Sequence, residues 1–302
     1  MTEHRSYTIK DICAVVVTYF PDSNFPERIR KIAEQVGKVI IVDNGSDIET
    51  IEVLNKLSLQ SKVQSILNSE NLGVATALNQ GARWAQENSF RWALLLDQDT
   101  VPEKTMTEEL LAVYTDFPHK EKLAIVGSNY YSAYNHRPLY SSMDSGFCSW
   151  VEKKTVITSG SLLSLWTFDT IGPFRDEFFI DFVDIEYCLR ARAKGYYVII
   201  TSKPIMEHRL GEAEMHRLLW RKTGTSNHSA LRRYYMTRNH ILLAKEYILS
   251  DPSWVLVTLY SRIKSIILLI SFEKDRGTKL RNVILGIWHG ILGKIGKYES
   301  SH

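Results

Sequence analysis

Cysteine is scarce in this 302-residue sequence: Cys13, Cys148 and Cys188 stand far apart and odd in number. With no CxxC pair there is no disulfide framework and no zinc signature. Unpaired thiols suit a reducing compartment, so a cytoplasmic location is expected. Cys13 and Cys188 fall in apolar segments, where a thiol serves as a small buried hydrophobe. No GxGxxG follows the first strand-like run, which disfavours a dinucleotide-binding domain, and no GxxxxGK[ST] occurs, which removes a P-loop. Thr18-Tyr19-Phe20-Pro21-Asp22 is not the Gly-rich basic loop of a sugar-nucleotide-synthesising nucleotidyltransferase. Met1 to Asp11 has no apolar core of signal-peptide type. No stretch offers the roughly twenty uninterrupted apolar residues of a membrane span; in the nearest, Trp254 to Phe272, Arg262 and Lys264 intervene. A net charge of +3 is too weak to argue for nucleic acid, and no nucleic-acid partner is expected. The chain is long enough for a sizeable core, and its 44% apolar and 24% charged residues are ordinary for a globular protein, so folding throughout is expected.

What is present centres on Trp92-Ala93-Leu94-Leu95-Leu96-Asp97-Gln98-Asp99. A short apolar run reads as a buried strand, ended by Thr100-Val101-Pro102. Asp97 and Asp99 then lie at a strand's carboxyl end, where open α/β sheets bind ligands. Alternation along an extended chain predicts that both carboxylates point to one side. Paired so, they suit a hard cation, Mg²⁺ or Mn²⁺, that prefers oxygen ligands and keeps substrate phosphates in its shell. The competing reading is a polar turn after a strand.

Upstream, Ile12–Thr18, Lys38–Val42 and Val63–Leu67 read as strands, and 25–36, 48–59 and 74–87 as helices. Asp43-Asn44-Gly45-Ser46-Asp47 is turn chemistry. Strand and helix alternate with short links, which predicts a parallel sheet with right-handed crossovers. Beyond the aspartates, 103–117 reads as a helix and 123–127 as a strand. Residues 128–149 form a long irregular stretch with Tyr130, Tyr131, Tyr134 and Tyr140; such loops are usually functional.

A second acidic cluster, Asp181, Asp184 and Glu186, is embedded in aromatic and apolar residues ahead of a helix over 187–194. Capping and an i,i+4 pair of Glu186 with Arg190 account for Glu186 and in part for Asp181. Asp184 fits a sharper role, a partly desolvated carboxylate that deprotonates a hydroxyl. His208, after a strand at 196–201, is either structural or a further metal ligand. Residues 212–238 carry Arg217, Arg221, Lys222, Arg232, Arg233 and Arg238, which form either a solvated face or a clamp on diphosphate oxygens. In the C-terminal part Leu280, Ile284, Trp288, Ile291 and Ile295 recur at helical spacing. This suits an amphipathic interfacial helix or a helix on the core, with Gly286, Gly290 and Gly293 allowing close approach.

Taken in order, Val-Val-Val-Thr-Tyr at 15–19, Val-Asp-Asn-Gly-Ser at 42–46, Asn-Leu-Gly-Val-Ala at 71–75, Leu-Asp-Gln-Asp at 96–99, Ser-Gly-Ser at 159–161, Phe-Ile-Asp-Phe-Val-Asp-Ile-Glu-Tyr at 179–187, His208 and Tyr-Tyr-Met-Thr-Arg-Asn at 234–239 carry a resemblance. The chain resembles family 2 glycosyltransferases of the GT-A fold, and more narrowly bacterial rhamnosyltransferases that use dTDP-L-rhamnose. The resemblance implies an α/β fold with a Rossmann-like, mostly parallel sheet flanked by helices. Its glycosyltransferase domain would span 1–245, with a nucleotide-sugar half at about 10–127 and an acceptor half at about 128–245. A helical extension over 246–302 would follow, resting on a membrane, a partner or the core. The resemblance also implies contacts of Thr18, Tyr19 and Asp43 with the nucleoside, Asp43 on the base. Asn71, Gly73 and Asn79 would line the nucleotide pocket. Asp97 would sit near ribose and metal, Asp99 and His208 on the metal, and Asp184 as base. The family often has Glu-Asp at 183–184; with Val183 here, Asp181 is expected to share the work. Inverting transfer from a nucleotide-sugar donor to a saccharide or lipid-linked saccharide is implied, with peripheral contact on the inner membrane leaflet. A UDP-galactofuranose or UDP-N-acetylhexosamine donor, and a non-catalytic carbohydrate- or membrane-binding scaffold, are the alternatives.

Overall fold

The computed structural model describes residues 7–132, 138–139, 148–208, 214–218, 221–225 and 227–299; for Ser132, His208, 214–218 and 221–224 it describes the backbone only. Tyr134 and Tyr140, and the side chains of His208, Arg217, Arg221 and Lys222, lie outside the described residues. The chain divides into two compact units, one of residues 1–175 with 184–208 and the other of 176–183 with 209–302.

In the first unit β1 (Ile12–Thr18), β2 (Lys38–Asp43), β3 (Val63–Leu67) and β4 (Trp92–Asp97) alternate with α1 (Phe25–Ala33), α2 (Ile48–Ser58) and α3 (Val74–Glu87). These strands pair in parallel in the order β3-β2-β1-β4. Val15, Val16, Ile40, Ile41, Leu94 and Leu95 are buried, as near-continuous apolar runs in a sheet covered on both faces should be. Asp47 caps α2, its carboxylate accepting from Thr50 N–H at 2.9 Å.

After β4 the sheet changes character. A two-residue β5 (Val101–Pro102) precedes α4 (Met106–Asp116), then come β6 (Leu123–Ser132), β7 (Trp150–Glu152), β8 (Ser161–Ser164), α5 (Leu165–Ile171), α6 (Val183–Ala193) and β9 (Tyr197–His208). β8 runs antiparallel to both β4 and β6, and β5 and β7 run antiparallel to β9, while β6 and β9 are parallel. The sheet is therefore mixed; the expected parallel character belongs to its first half.

Two strands are longer than the sequence predicts. β6 continues to Ser132 past two register shifts near Gly127 and Asn129. Polar residues conceal this extension: Asn129 is fully buried, with its amide donating to Ser202 O at 3.0 Å and its N–H to Thr201 Oγ1 at 2.9 Å. β9 likewise runs on to His208. Cys13 and Cys188 are buried, as expected, and burial pushes both thiols up to about 12.

The second unit contains a hairpin, β10 (Glu214–Leu218) with β11 (Arg221–Thr225), and three helices: α7 (Ala230–Tyr247), α8 (Pro252–Phe272) and α9 (Arg276–Ile291). α9 packs on α7 through small residues. A Cβ at Gly286 would lie 2.7 Å from Tyr234 O, and one at Gly290 would lie 2.8 Å from Ile241 Cβ. The two helices touch at a distance only glycine permits. The apolar stripe expected to be a packing face points elsewhere: Ile284, Trp288, Ile291 and Ile295 are exposed. α8 is long and apolar enough to cross a membrane by length and composition, Arg262 and Lys264 notwithstanding. Leu256, Val257, Tyr260, Ile263 and Ile267 on it are exposed.

Candidate active site

The carboxyl ends of β1, β2 and β4 meet at one edge of the first unit, and Gln98 ties two of them together. Its Oε1 accepts from Thr18 Oγ1 at 2.9 Å and from Tyr19 N–H at 2.8 Å. Its main-chain carbonyl accepts from Arg28 Nε at 2.8 Å, and Arg28 also pairs with Asp22 at 2.9 Å. The sequence reading passed over Gln98 because attention went to the carboxylates on either side; an amide wedged between them, next to a strand ending in Thr, is the signal available. Tyr19 and Phe20 are exposed and meet edge to face, with ring centroids 4.6 Å apart.

At the end of β2, Asp43 is fully buried. Its carboxylate accepts from Gly45 N–H at 3.1 Å, from Ser46 N–H at 2.8 Å and from Ser46 Oγ at 2.6 Å. The turn that Asn-Gly announced is thus held by the aspartate itself, and of its roughly four acceptor positions three are engaged. Asn44 joins this turn to the next loop. Its amide donates to Gly73 O at 3.0 Å and its oxygen accepts from Leu72 N–H at 3.2 Å. Asn71 Oδ1 in turn accepts from Gly73 N–H at 3.0 Å, which shapes the approach to α3. Asn79 has a packing role in place of the pocket contact expected of it. It is buried, and its amide closes on Phe174, donating to the carbonyl at 2.7 Å and accepting from the N–H at 2.9 Å.

The strand ends at Asp97. Thr100 N–H donates to Asp97 O at 3.2 Å, so residues 97–100 form a turn. The alternation that was to align Asp97 with Asp99 stops there, and the turn sets their directions instead. Asp97 is half-buried and Asp99 exposed. From Thr100 the chain enters β5, whose Val101 pairs with Glu207 and Pro102 with Met206. One step beyond that register stands His208, so its backbone lies beside the turn that carries Asp99. Among the described residues no three His, Cys, Asp or Glu side chains gather as a metal site. Two carboxylates from one turn nevertheless match the oxygen preference of Mg²⁺ or Mn²⁺.

Asp184 reaches this edge through a short strip of backbone, Thr158-Ser159-Gly160. Thr158 N–H donates to Asp184 Oδ2 at 3.2 Å. Ser159 Oγ contacts Thr100 Oγ1 and lies 3.5 Å from Asp97 N. Gly160 N–H donates to Leu95 O at 2.8 Å, and its carbonyl accepts from Ser128 Oγ at 2.5 Å. Gly160 has φ +77°, and a Cβ there would collide with Met206, so the strip requires glycine. Asp184 is half-buried in the first turn of α6, and its Oδ1 also accepts from Ile185 N–H at 2.9 Å. The helix dipole favours a carboxylate there. Glu186 pairs with Arg190 at 2.7 Å as its spacing predicted, and Arg190 also donates to Ile171 O and Pro173 O.

In the second unit, Asp181 accepts a fork from Arg232, with Nη2 at 3.0 Å and Nε at 3.1 Å. Burial pushes the Asp181 carboxyl up in pKa, and Arg232 opposes that shift. Phe179, Asp181 and Phe182 all have positive φ, near +62°, +61° and +66°, a conformation that bulky residues seldom adopt. Asn239 holds the segment, donating from one amide nitrogen to the carbonyls of Phe178, Ile180 and Asp181, each at 2.9 Å. Arg238 adds donation to Glu177 O at 3.1 Å, and Arg233 pairs with Glu273. Buried Arg233 and Arg238 therefore act within the unit's own interior, neither as a solvated face nor as an open clamp.

Residues 13–157 match the family model described as glycosyl transferase family 2. The dTDP-rhamnosyl transferase RfbF of Shigella flexneri is 28% identical over 307 residues, which span 95% of this chain and 97% of that protein. The solved structure of S. aureus TarS 1-349 is similar with a TM-score of 0.60 at 14% identity, over 93% of this chain and 80% of that one. The mannosyltransferase PcManGT from Pyrobaculum calidifontis, solved with GDP-Man and Mn²⁺, gives a TM-score of 0.56 at 14% identity, over 94% of this chain and 88% of that one. Its mixed sheet flanked by helices, together with the family match, makes this chain a glycosyltransferase of the GT-A fold, with a family 2 domain at residues 13–157.

Proposed function

We propose that the chain transfers L-rhamnose from dTDP-L-rhamnose to a hydroxyl of a saccharide or lipid-linked saccharide, with inversion. The observation that carries the reading is the 158–160 strip, which fastens Asp184 to the strand end bearing Asp97. Asp184 takes the proton of the acceptor hydroxyl as its oxygen attacks the anomeric carbon. One base suffices for a single displacement, and the C–O bond to the diphosphate breaks as the new one forms. Tyr19, Asp43, Asn71 and Gly73 surround the nucleoside, and Gln98 positions Thr18 and Tyr19 for it. Asp97, Asp99 and His208 would hold Mg²⁺ or Mn²⁺, which when bound neutralises charge on the leaving diphosphate. The resemblance to RfbF across nearly the whole chain supports the donor assignment. Incubation with dTDP-rhamnose, UDP-galactofuranose and UDP-N-acetylglucosamine tests it. Nucleoside diphosphate release and thermal stabilisation are expected with dTDP-rhamnose; a stronger response to a UDP-sugar reassigns the donor.

The work is placed on an anionic membrane surface. Ile284, Ile287, Trp288, Ile291, Leu292 and Ile295 form an exposed apolar stripe on and just beyond α9. No acid occurs between 276 and 298, and exposed Arg281, Lys294 and Lys297 border the stripe. Aliphatic and Trp side chains beside cations are the pattern of an interfacial helix, and each cation near anionic lipid adds about 1 kcal/mol. The protein is expected to co-float with phosphatidylglycerol vesicles, less so at high salt. Phosphatidylcholine should bind it weakly, and Trp288→Glu with Ile291→Glu should abolish flotation. Equal flotation of wild type and double variant removes this placement.

A further inference from the structure

The second unit collects more positive than negative charge in its interior. Glu273, on the buried C-cap of α8, pairs with Arg233 of α7 and with Lys279 of α9 at 3.0 Å. Lys279 also donates to Asn227 Oδ1 at 2.6 Å, and Arg233 Nη1 to Ser265 Oγ at 2.8 Å. Asp181 is forked by Arg232. Arg262 stands over Phe182, its guanidinium carbon 5.6 Å from the ring centroid, and meets no hydrogen-bond acceptor among the described residues. Four cations thus share two carboxylates.

Two further observations show that the group lacks an anion. Arg233 Nε is a buried donor with no partner among the described residues. His228 is kept neutral, pushed down to about 3 by burial and then by Arg232, Arg233, Arg262 and Lys279, so all four cations bear on one imidazole. Burial lowers the Arg262 pKa as well, and Arg233 adds to the shift. Uncompensated buried charge is costly and persists where something pairs with it. A surplus of two positive charges, forked guanidinium donors and a neutral imidazole are matched by a dianion with several acceptor oxygens.

We propose that Arg232, Arg233, Arg262 and Lys279, with His228, form a binding site for a phosphate or diphosphate group. The site uses residues of the second unit alone and does not depend on the cation proposed at Asp99. Two sources share this chemistry, the diphosphate of the nucleotide and that of a polyprenyl-linked acceptor.

Thermal unfolding of the full chain with inorganic pyrophosphate and EDTA tests the proposal, since EDTA silences a cation-dependent nucleotide site. A saturable rise of several degrees in Tm, weakened by salt, is expected. Arg262→Gln should cancel the rise while leaving the ligand-free Tm unchanged or higher, because it removes unmatched charge. Arg262→Lys keeps the charge without the fork and should retain part of the rise. Asp99→Ala should retain all of it. In parallel arms, farnesyl diphosphate binding more tightly than dTDP assigns the site to the acceptor lipid; the reverse order assigns it to the nucleotide. The proposal fails if pyrophosphate gives no rise, if the rise survives in Arg262→Gln, or if Arg262→Gln merely lowers the ligand-free Tm. The rhamnosyl reading fails on different evidence, the donor panel.

Discussion

Asp184→Asn is expected to slow sugar transfer about 10²–10⁴-fold, the range for removal of a general base, while donor affinity stays at the wild-type value. The substitution keeps the size of the side chain. One amide oxygen replaces two carboxylate oxygens, so either Thr158 N–H or Ile185 N–H loses its acceptor. That loss is worth about 1 kcal/mol, so the protein stays folded and the kinetic effect can be read directly. Calorimetric titration with donor and a time course of nucleoside diphosphate release in the presence of acceptor separate the two quantities. Normal turnover in the variant would remove Asp184 from the role of base. Weakened donor binding with normal turnover at saturation would reassign it to binding.

Asp99→Ala carries the second large effect. Asp99 is exposed on a turn, so its removal should change stability by no more than about 0.5 kcal/mol. Transfer should fall about 10²–10³-fold, corresponding to several kcal/mol of lost charge stabilisation. The enhancement of dTDP binding by Mg²⁺ or Mn²⁺ should disappear. Wild-type protein in EDTA should behave like the variant. If dTDP binds the variant with its full cation dependence, the proposed ligand set is wrong.

The strand–helix alternation up to Asp97 was legible because each strand is an apolar run stopped by turn residues. Ile12–Thr18, Val63–Leu67 and the helix at 74–87 were located to the residue. Legibility declined where polar residues are buried. Ser128 and Asn129 prolong β6 while looking like loop, because their polar groups are satisfied by Gly160, Ser202 and the Thr201 hydroxyl. The packing face of α9 was misread for a related reason. Its contact is made by Gly286 and Gly290, which contribute nothing to an apolar pattern, and the visible stripe faces outward. The acidic residues of the candidate site stood out as charged interruptions of apolar segments. The neutral side chains that arrange them, Gln98, Asn44, Ser159 and Asn239, carry no comparable mark in a single sequence.

The strip at 158–160 acts as a gauge block between proton acceptor and strand end. Every unit of it is bolted down: Thr158 to Asp184, Ser159 to Thr100, and Gly160 to Leu95 and Ser128. Three consecutive peptides secured in this way have little slack, so an error in one fastening is passed on as a spacing error at both ends. The tolerance for a new acceptor alcohol must then come from the walls around the gauge, while the gauge itself keeps its length.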